Sequence, residues 1–339
     1  MIFPKCMVGK EPFITCHGYL MPCCWLDIPR YSTDRKIYDS NGQLKPNIFH
    51  IPEFNLSNHD YKSIVESSEW LLMLEKLHLE DYNPCNMKCK DFFAFNDKIV
   101  LSEYKVDDLV YDDKLIRSTN EVTFNRSLVD TWEVSSIQIE LTNRCSLKCP
   151  YCPRLTDKVQ KSDLPVSIIK EVLSCKHWKE INDVGSYGDS IFYPKYHEFL
   201  NIVSESSVEK YIGHIAATGR GKDWWDDTIR HYKKSIKTNT DITVLFGVDG
   251  LEDTSKLHRI GQDWDEITYA MKECAASGVN VVWQYIPMSF NEHQIEEAKE
   301  LAKKWNIKFQ LHLSCRFMKN DPNKPKTKNL FRDFYEDSI

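Results

Sequence analysis

Cys145-Ser-Leu-Lys-Cys149-Pro-Tyr-Cys152 places three cysteines at CxxxCxxC spacing, directly after a strand-like run, Ser135-Ser-Ile-Gln-Ile-Glu-Leu-Thr142. Thiolate sulfur is a soft ligand that favours iron–sulfur clusters. A cubane [4Fe–4S] cluster has four iron corners and normally takes four cysteines. A loop that supplies three leaves one iron open to a non-protein ligand. An open corner is what a catalytic metal site needs and a structural site avoids, by the same logic as zinc. A three-cysteine zinc knuckle or a redox motif uses similar spacing, so features elsewhere in the chain must discriminate.

Working outward, strand-like and helical runs alternate from residue 135 onward. The strand-like runs are Ile137–Leu141, Asp183–Gly185, His214–Ala217, Ile242–Val248, Asn280–Ile286 and Lys308–Leu313. Between them lie helical runs at Pro165–Ser174, Tyr196–Ser204, Trp224–Lys234, Trp264–Ser277 and Glu292–Trp305. Such alternation argues for parallel α/β units. In barrels built this way, chemistry sits at the C-terminal ends of the strands. The cysteine loop falls there after the first strand. Gly185-Ser-Tyr-Gly-Asp-Ser190 falls there after the second and Thr218-Gly-Arg-Gly221 after the third. Phe246-Gly-Val-Asp-Gly250 ends the fourth strand, Trp283-Gln-Tyr-Ile286 the fifth and Ser314-Cys-Arg-Phe317 the sixth. Read by themselves, Gly-Asp and Asp-Gly are ordinary turn pairs.

Composition excludes several classes. The 339 residues are 42% hydrophobic and 12% aromatic, enough for sizeable cores, and allow two domains or one large domain with an appendage. No apolar run approaches a membrane span. The start, Met-Ile-Phe-Pro-Lys-Cys6, lacks the charged and apolar regions of a secretory signal, so a cytoplasmic location is the expectation. A net charge of −6 offers no global basic field for a phosphate backbone, which disfavours nucleic acid as a partner. Twelve cysteines in a chain expected in a reducing compartment read as metal ligands rather than disulfides. Cys175, Cys274 and Cys315 stand singly and read as buried small apolar side chains.

The run Glu140-Leu-Thr-Asn-Arg-Cys-Ser-Leu-Lys-Cys-Pro-Tyr-Cys-Pro-Arg154 resembles the cluster loop of the radical S-adenosylmethionine (SAM) enzymes. The resemblance implies an α/β fold, a partial (β/α)6 TIM-like barrel over residues 133–318. It implies a SAM-binding [4Fe–4S] cluster on Cys145, Cys149 and Cys152. There one electron cleaves SAM to a 5′-deoxyadenosyl radical, which abstracts hydrogen from a substrate. Gly185–Ser190, followed by Pro194, resembles the family's glycine–glycine–glutamate–proline motif in a Tyr-Gly-Asp form, with Ser190 where proline is usual. By that likeness the Tyr187–Gly188 backbone and the Asp189 carboxylate hold the SAM amino group through charge-assisted hydrogen bonds. Asp249 is placed for the ribose or substrate, Arg259 for the SAM carboxylate or a loop cap, and Gln284 for the cofactor. An electron donor such as ferredoxin or flavodoxin is implied as a partner.

Six cysteines fall before residue 90: Cys6, Cys16, Cys23, Cys24, Cys85 and Cys89. Pro12–Leu26 reads as a β-hairpin with Gly18 in its turn. A helical run, Glu69–Leu77, precedes the close pair Cys85 and Cys89. The set resembles the auxiliary-cluster domains of SPASM and twitch radical SAM enzymes. It implies a second [4Fe–4S] cluster on Cys6, Cys23, Cys85 and Cys89, with Cys24 able to replace Cys23 and Cys16 spare. Here the module precedes the core instead of following it, and the shorter twitch type fits better. Tetrahedral zinc would accept the same four thiolates. The expected organisation is an auxiliary domain over 1–97, a bridge over 98–132, the core over 133–318 and a polar tail over 319–339. Auxiliary-cluster relatives often modify peptides or proteins, which makes a peptide or protein the expected substrate. A sugar-like alcohol dehydrogenase or epimerase, and a non-catalytic iron–sulfur or zinc protein, are the other readings.

Overall fold

The structure, a computed structural model, describes residues 11–24, 50–70, 72–73, 135–156, 160–312 and 321–327. The chain divides into two compact units, Met1–Ile14 with Gly18–Ser135, and Thr15–His17 with Ser136–Ile339. Cys6, Cys85, Cys89 and Cys315, and the expected bridge, lie outside the described residues.

In the first unit the expected hairpin is present. Strand β1 (Phe13–Ile14) pairs antiparallel with β2 (Leu20–Met21), and all four side chains are buried. Gly18 adopts φ 83°, a left-handed conformation that glycine takes without steric cost. A 3₁₀ turn at Pro52–Phe54 and helix α1 (Tyr61–Val65) follow. Asp60 caps α1 by accepting from the Ser63 amide at 2.9 Å, satisfying one of the donors a helix start leaves open. Phe54 and Trp70 meet edge to face at 5.3 Å and close this small core.

The second unit is the α/β core. Its strands are β3 (Ser136–Ile139), β4 (Glu180–Asp183), β5 (Lys210–Ile215), β6 (Asp241–Gly247), β7 (Asn280–Tyr285) and β8 (Lys308–Leu311). Each pairs in parallel with the next in chain order. Among the described residues β8 has no pairing back to β3, so the sheet is open. This is the expected partial (β/α)6 barrel. The helices are α2 (Pro153–Thr156), α3 (Val166–Ser174), α4 (Tyr196–Glu205), α5 (Lys222–Lys237), α6 (Ser255–His258), α7 (Trp264–Ala276) and α8 (Ile295–Lys304).

Side chains alternate across each strand. Ile181, Tyr211, Ile242, Val244, Phe246, Val281 and Trp283 face the helices and are buried. Trp225 from α5 meets Phe246 at 5.8 Å, and Trp264 from α7 meets Trp283 at 6.3 Å. The opposite face carries Gln138, Asn182, His214, Gln284 and Gln310. His214 Nε2 lies 3.0 Å from Asn182 Oδ1, and Gln284 Nε2 donates to Gln310 Oε1 at 3.3 Å. The concave face is therefore rich in amide side chains where the convex face is aromatic and aliphatic.

The second and third strands begin earlier than their sequence suggests. β4 ends at Asp183, where the expectation began, because its inward apolar set is only Ile181 followed by a buried carboxylate. β5 starts at Lys210, where a lysine and a glycine hide the alternation. Cys274 is buried in α7, as expected, but Cys175 is exposed, because it stands just past the end of α3. Among the described residues no helix is long and apolar enough to cross a membrane.

Candidate active site

The cysteine loop leaves the end of β3 and is fastened to four other strand ends. Thr142 Oγ1 donates to Asp163 at 2.6 Å, and the same carboxylate receives Arg144 Nε at 2.9 Å. Asn143 is held from both sides, its Nδ2 donating to the Gln160 carbonyl at 2.7 Å and its Oδ1 accepting from Ser162 N at 2.8 Å. From the β4 end, Asp189 N donates to the Arg144 carbonyl at 2.9 Å. From the β5 end, the Thr218 carbonyl accepts Ser146 Oγ at 2.7 Å. From the loop after β6, the Ile260 carbonyl accepts Lys148 N at 2.9 Å. After β7, Ser289 binds the segment at 321–327, donating from its amide to the Asn323 carbonyl at 3.0 Å. That segment returns to the cysteine loop: Tyr151 OH donates to Asp321 at 2.7 Å and accepts from Asn323 Nδ2 at 3.0 Å.

Gly188 explains how β4 comes so close. A Cβ there would stand 1.9 Å from the Thr142 carbonyl oxygen and 2.7 Å from Asn143 Cα. The Tyr187 amide donates to buried Glu140 Oε1 at 2.8 Å, which orients the Ser186–Tyr187 peptide. Asp189 is buried. Its Oδ2 accepts from the Ala216 and Ala217 amides at 2.7 and 2.8 Å, and its Oδ1 has a longer bond of 3.4 Å from Ile191 N. The carboxylate thus ties the β4 end to the β5 end, with Oδ1 the less engaged oxygen. Burial pushes its carboxyl up, against the three backbone amides and Arg259.

The three cysteines are half-buried. Burial, then the Asp189 charge, push the Cys145 thiol up to about 12, while its Sγ accepts from Leu147 N at 3.4 Å. Burial also pushes the Cys149 thiol up, and the Arg259 guanidinium beside it opposes this. Thiols so placed stay protonated in the absence of a metal, and a soft cation displaces the proton when it binds.

Arg259 organises the opposite wall. Its Nε donates to Asp249 Oδ2 at 2.6 Å, and the same oxygen faces His258 Nδ1 at 2.6 Å. Asp249 Oδ1 accepts Ile286 N at 2.8 Å. Burial raises the Asp249 carboxyl, but Arg259 and His258 outweigh it and hold the group below its ordinary value. Burial works against the Arg259 charge, yet Asp249 and Cys149 together raise it above its ordinary value. Gly247 leaves the room Arg259 occupies, since a Cβ there would stand 2.9 Å from the guanidinium. The guanidinium is therefore fixed by a buried carboxylate and aimed at a cluster cysteine.

The structure brings Cys149, Arg259 and Asp249 together, with Asp189 and the Tyr187–Gly188 peptide across from them. Gln284 instead lies along β7, paired with Gln310. Arg220, in the third strand's loop, stacks over the Trp224 ring at 4.8 Å, and the Gly219 and Arg220 amides donate to Glu266 at 2.9 and 3.0 Å. Glu140, Tyr151, His258 and Gln262 also belong to the site; Glu140 and Tyr151 lie in the cysteine run, but the sequence assigns none of the four a role. Gln262 Nε2 joins the β5 and β6 ends, donating to the Ala216 carbonyl at 2.6 Å and the Gly247 carbonyl at 3.0 Å. Among the described residues its Oε1 is buried with no donor.

Residues 139–303 match the family described as the Radical SAM superfamily. Over that stretch the chain carries a radical SAM domain. No curated protein matches it. Among solved structures, hexahistidine-tagged anSMEcpe with bound AdoMet is similar at 12% identity, covering 52% of this chain and 51% of that one, TM-score 0.40. Streptococcus suis SuiB bound to precursor peptide SuiA is similar at 16% identity, covering 71% and 59%, TM-score 0.48. Methylornithine synthase (PylB) is similar at 13% identity, covering 69% and 72%, TM-score 0.40. The chain thus spans 51% and 59% of the length of the first two.

A radical SAM domain implies a [4Fe–4S] cluster and SAM. The residues present fit both. The donor set is three half-buried thiols on one braced loop, with a fixed cation beside Cys149 to favour its thiolate. Gln262 Oε1, a buried acceptor at the strand ends with no donor among the described residues, suits the N–H or O–H group of a bound nucleoside.

Proposed function

We propose that this radical SAM enzyme cleaves SAM reductively and abstracts hydrogen from a peptide or protein substrate. The carrying observation is the braced CxxxCxxC loop with Arg259, held by buried Asp249, against Cys149. When bound and reduced, a cluster would supply the one electron that breaks the C5′–S bond of SAM, giving methionine and a 5′-deoxyadenosyl radical. The chain's own part is placement. Cys145, Cys149 and Cys152 hold three irons. The Tyr187–Gly188 carbonyls and Asp189 Oδ1 face the SAM ammonium, and Arg259 provides charge for its carboxylate. Gln262 Oε1 accepts from the nucleoside.

The peptide reading rests on the auxiliary-cluster resemblance, with Cys6, Cys23, Cys85 and Cys89 as ligands of a second [4Fe–4S] cluster. Of these, Cys23 is half-buried in the first unit. Gln138, Asn182, Gln284 and Gln310 on the concave sheet face support it, because primary amides offer donors and acceptors that match a peptide backbone. Gln284 acts there on substrate in this reading, and Asp249 acts through Arg259. Ferredoxin or flavodoxin supplies the electron, in the cytoplasm.

The test is 5′-deoxyadenosine release from SAM by cluster-loaded protein under anaerobic reduction, against Cys149→Ala. Release that needs Cys149 is expected, and equal release from the variant refutes the assignment. Replacing Cys6 and Cys85 should remove half the iron while leaving release measurable. Zinc in that site of anaerobically prepared protein would overturn the second cluster.

A further inference from the structure

A second side-chain cluster lies away from the cysteine loop, between α4 and α5. His197 stands in the first turn of α4. Asp227 and His231 are four residues apart on α5 and so share one helix face. One ligand atom from each residue lies within 4.8 Å of the other two, and among the described residues this is the one such group of His, Cys, Asp or Glu. The two imidazoles stack at 4.8 Å, and Trp224 covers His197 at 5.2 Å.

The hydrogen bonds around the cluster allow a tautomer of each ring that leaves a lone pair facing inward. Thr228 Oγ1 lies 2.9 Å from the Trp224 carbonyl and 2.8 Å from His197 Nε2. When Thr228 donates to the carbonyl and accepts from Nε2, the ring keeps its lone pair on Nδ1. Nδ1 lies 3.1 Å from Asp227 Oδ2. Asn201 Oδ1 accepts from Lys234 Nζ at 3.1 Å, and at 3.2 Å it faces His231 Nδ1. His231 is then protonated on Nδ1 and presents Nε2 as its lone pair. Each imidazole is thus oriented by a partner outside the cluster, as metal-bound histidines almost always are.

Either the His197 ring proton, placed on Nδ1, or a metal ion joins Nδ1 to Asp227 Oδ2 across this 3.1 Å gap. Burial, then neighbouring His231, push His197 below its ordinary value, and burial does the same to His231. Neutral rings are the form a metal takes. Two ligands at zinc bond lengths on a tetrahedral ion sit about 3.3 Å apart, close to the 3.1 Å between His197 Nδ1 and Asp227 Oδ2; the His231 ligand atom lies within 4.8 Å of both. Arg230 holds the other Asp227 oxygen at 2.7 Å and leaves Oδ2 to the cluster. Partial exposure, 26% for the His197 side chain and 41% for Asp227, gives an ion a way in.

We propose that His197, Asp227 and His231 bind one divalent transition ion of the zinc class, clipping α4 to α5 on the outside of the barrel. Two imidazoles and a carboxylate suit zinc, with water in the fourth position. The site is independent of the cysteine loop and of SAM.

The experiment is zinc titration of full-length, cluster-loaded protein, followed by zinc-edge X-ray absorption. One equivalent with a nitrogen and oxygen shell at about 2.0–2.1 Å is expected, against about 2.3 Å for sulfur ligands. Asp227→Asn, nearly isosteric, and His231→Ala should each lose that equivalent while keeping their iron and far-UV circular dichroism. Asn201→Ala, which frees the His231 ring, should weaken zinc on the order of 10–100-fold. A sulfur shell, equal uptake by the variants, or no uptake with His197 titrating as a plain ion pair to Asp227 each overturn the proposal.

Discussion

Gly188→Ala is the sharpest test of how the cluster loop is held. The glycine does not sit in the left-handed region, so the substitution carries no backbone strain of that kind. What it adds is one methyl group, 1.9 Å from the Thr142 carbonyl oxygen and 2.7 Å from Asn143 Cα. A carbon–oxygen contact of about 3.3 Å is the near limit, so the two backbones must part by roughly 1.4 Å. Neither is free to move. Thr142 is bonded to Asp163 at 2.6 Å and Asn143 to Gln160 at 2.7 Å, while Asp189 N holds the Arg144 carbonyl at 2.9 Å. Overpacking costs about 1–3 kcal/mol, and losing one of these hydrogen bonds adds about 1 kcal/mol. A loss of about 2–4 kcal/mol follows, concentrated where Cys145 begins. The assay is urea unfolding of the metal-free protein together with iron per chain after reconstitution. Gly278→Ala serves as control. Its φ of 91° costs an alanine about 1–2 kcal/mol, but no atom lies within 4 Å of the new methyl. Both variants should lose stability, and only Gly188→Ala should lose iron. Wild-type iron and stability in Gly188→Ala, or equal iron loss in the control, would refute the reasoning.

Three further outcomes follow from buried and bridging groups. Asp249→Asn breaks the contact of a fully buried carboxylate with half-buried Arg259 and should cost about 3–5 kcal/mol in urea unfolding at neutral pH. Because the Asp249 carboxyl is held low, its contribution is present above an unfolded value near 3.9 and lost as pH falls through the folded one. The gap between wild type and variant should therefore close below about pH 4; a gap unchanged there rejects the ion pair. Asp183 has the opposite sign. Burial, partly offset by Ser190 and Tyr211, pushes its carboxyl up to about 7, so stability is present at low pH and lost as pH rises from about 4 to 7. That loss amounts to up to about 4 kcal/mol, and Asp183→Asn should flatten the fall between about pH 4 and 7; parallel slopes in the two proteins reject it. Tyr151→Phe removes both bonds to Asp321 and Asn323, at 2.7 and 3.0 Å. Trypsin should then cut after Lys326 several times faster, and an unchanged rate would mean that Tyr151 does not anchor this segment.

Much of the core is readable from residues alone, for reasons that differ by element. Three cysteines in CxxxCxxC spacing point to a soft metal, and the strand–helix alternation after them separates a cluster loop from a zinc knuckle or redox motif. β6 and β7 are legible because Ile242, Val244 and Phe246, and then Val281, Trp283 and Tyr285, alternate cleanly. β4 reads three residues late because Asp183 fills an inward position that apolar residues usually hold. The Tyr196, Tyr211 and Tyr232 hydroxyls, bonded at 3.0 and 2.8 Å beside Asp183, make that burial tolerable. No local signal announces such a network, since its members come from three elements. The same holds for Tyr151, which lies inside the cysteine motif while its partners lie 170 and 172 residues away. Asp249 and Arg259 are legible as residues of interest, but not that Asp249 acts on Arg259.

The bracing of the cysteine loop explains why these residues must come from so many strands. A cluster with one open iron exposes a reactive corner, and three ligands on a free loop would let it tilt. Here the loop backbone is tied near Arg144, Ser146 and Lys148 to the ends of β4 and β5 and to the loop after β6. Tyr151 adds a fourth tie through the segment at 321–327. Parallel strands place their C-terminal ends along one edge, so a single loop can reach several of them in this topology. Arg259 then adds what hydrogen bonds to backbone cannot, a positive charge beside Cys149 whose position is set by a buried carboxylate rather than by solvent. Electrostatic stabilisation of this kind is strongest where the charge need not reorganise. Replacing Arg259 by lysine would keep the charge but lose the Nε bond to Asp249, which makes geometry rather than charge the property under test.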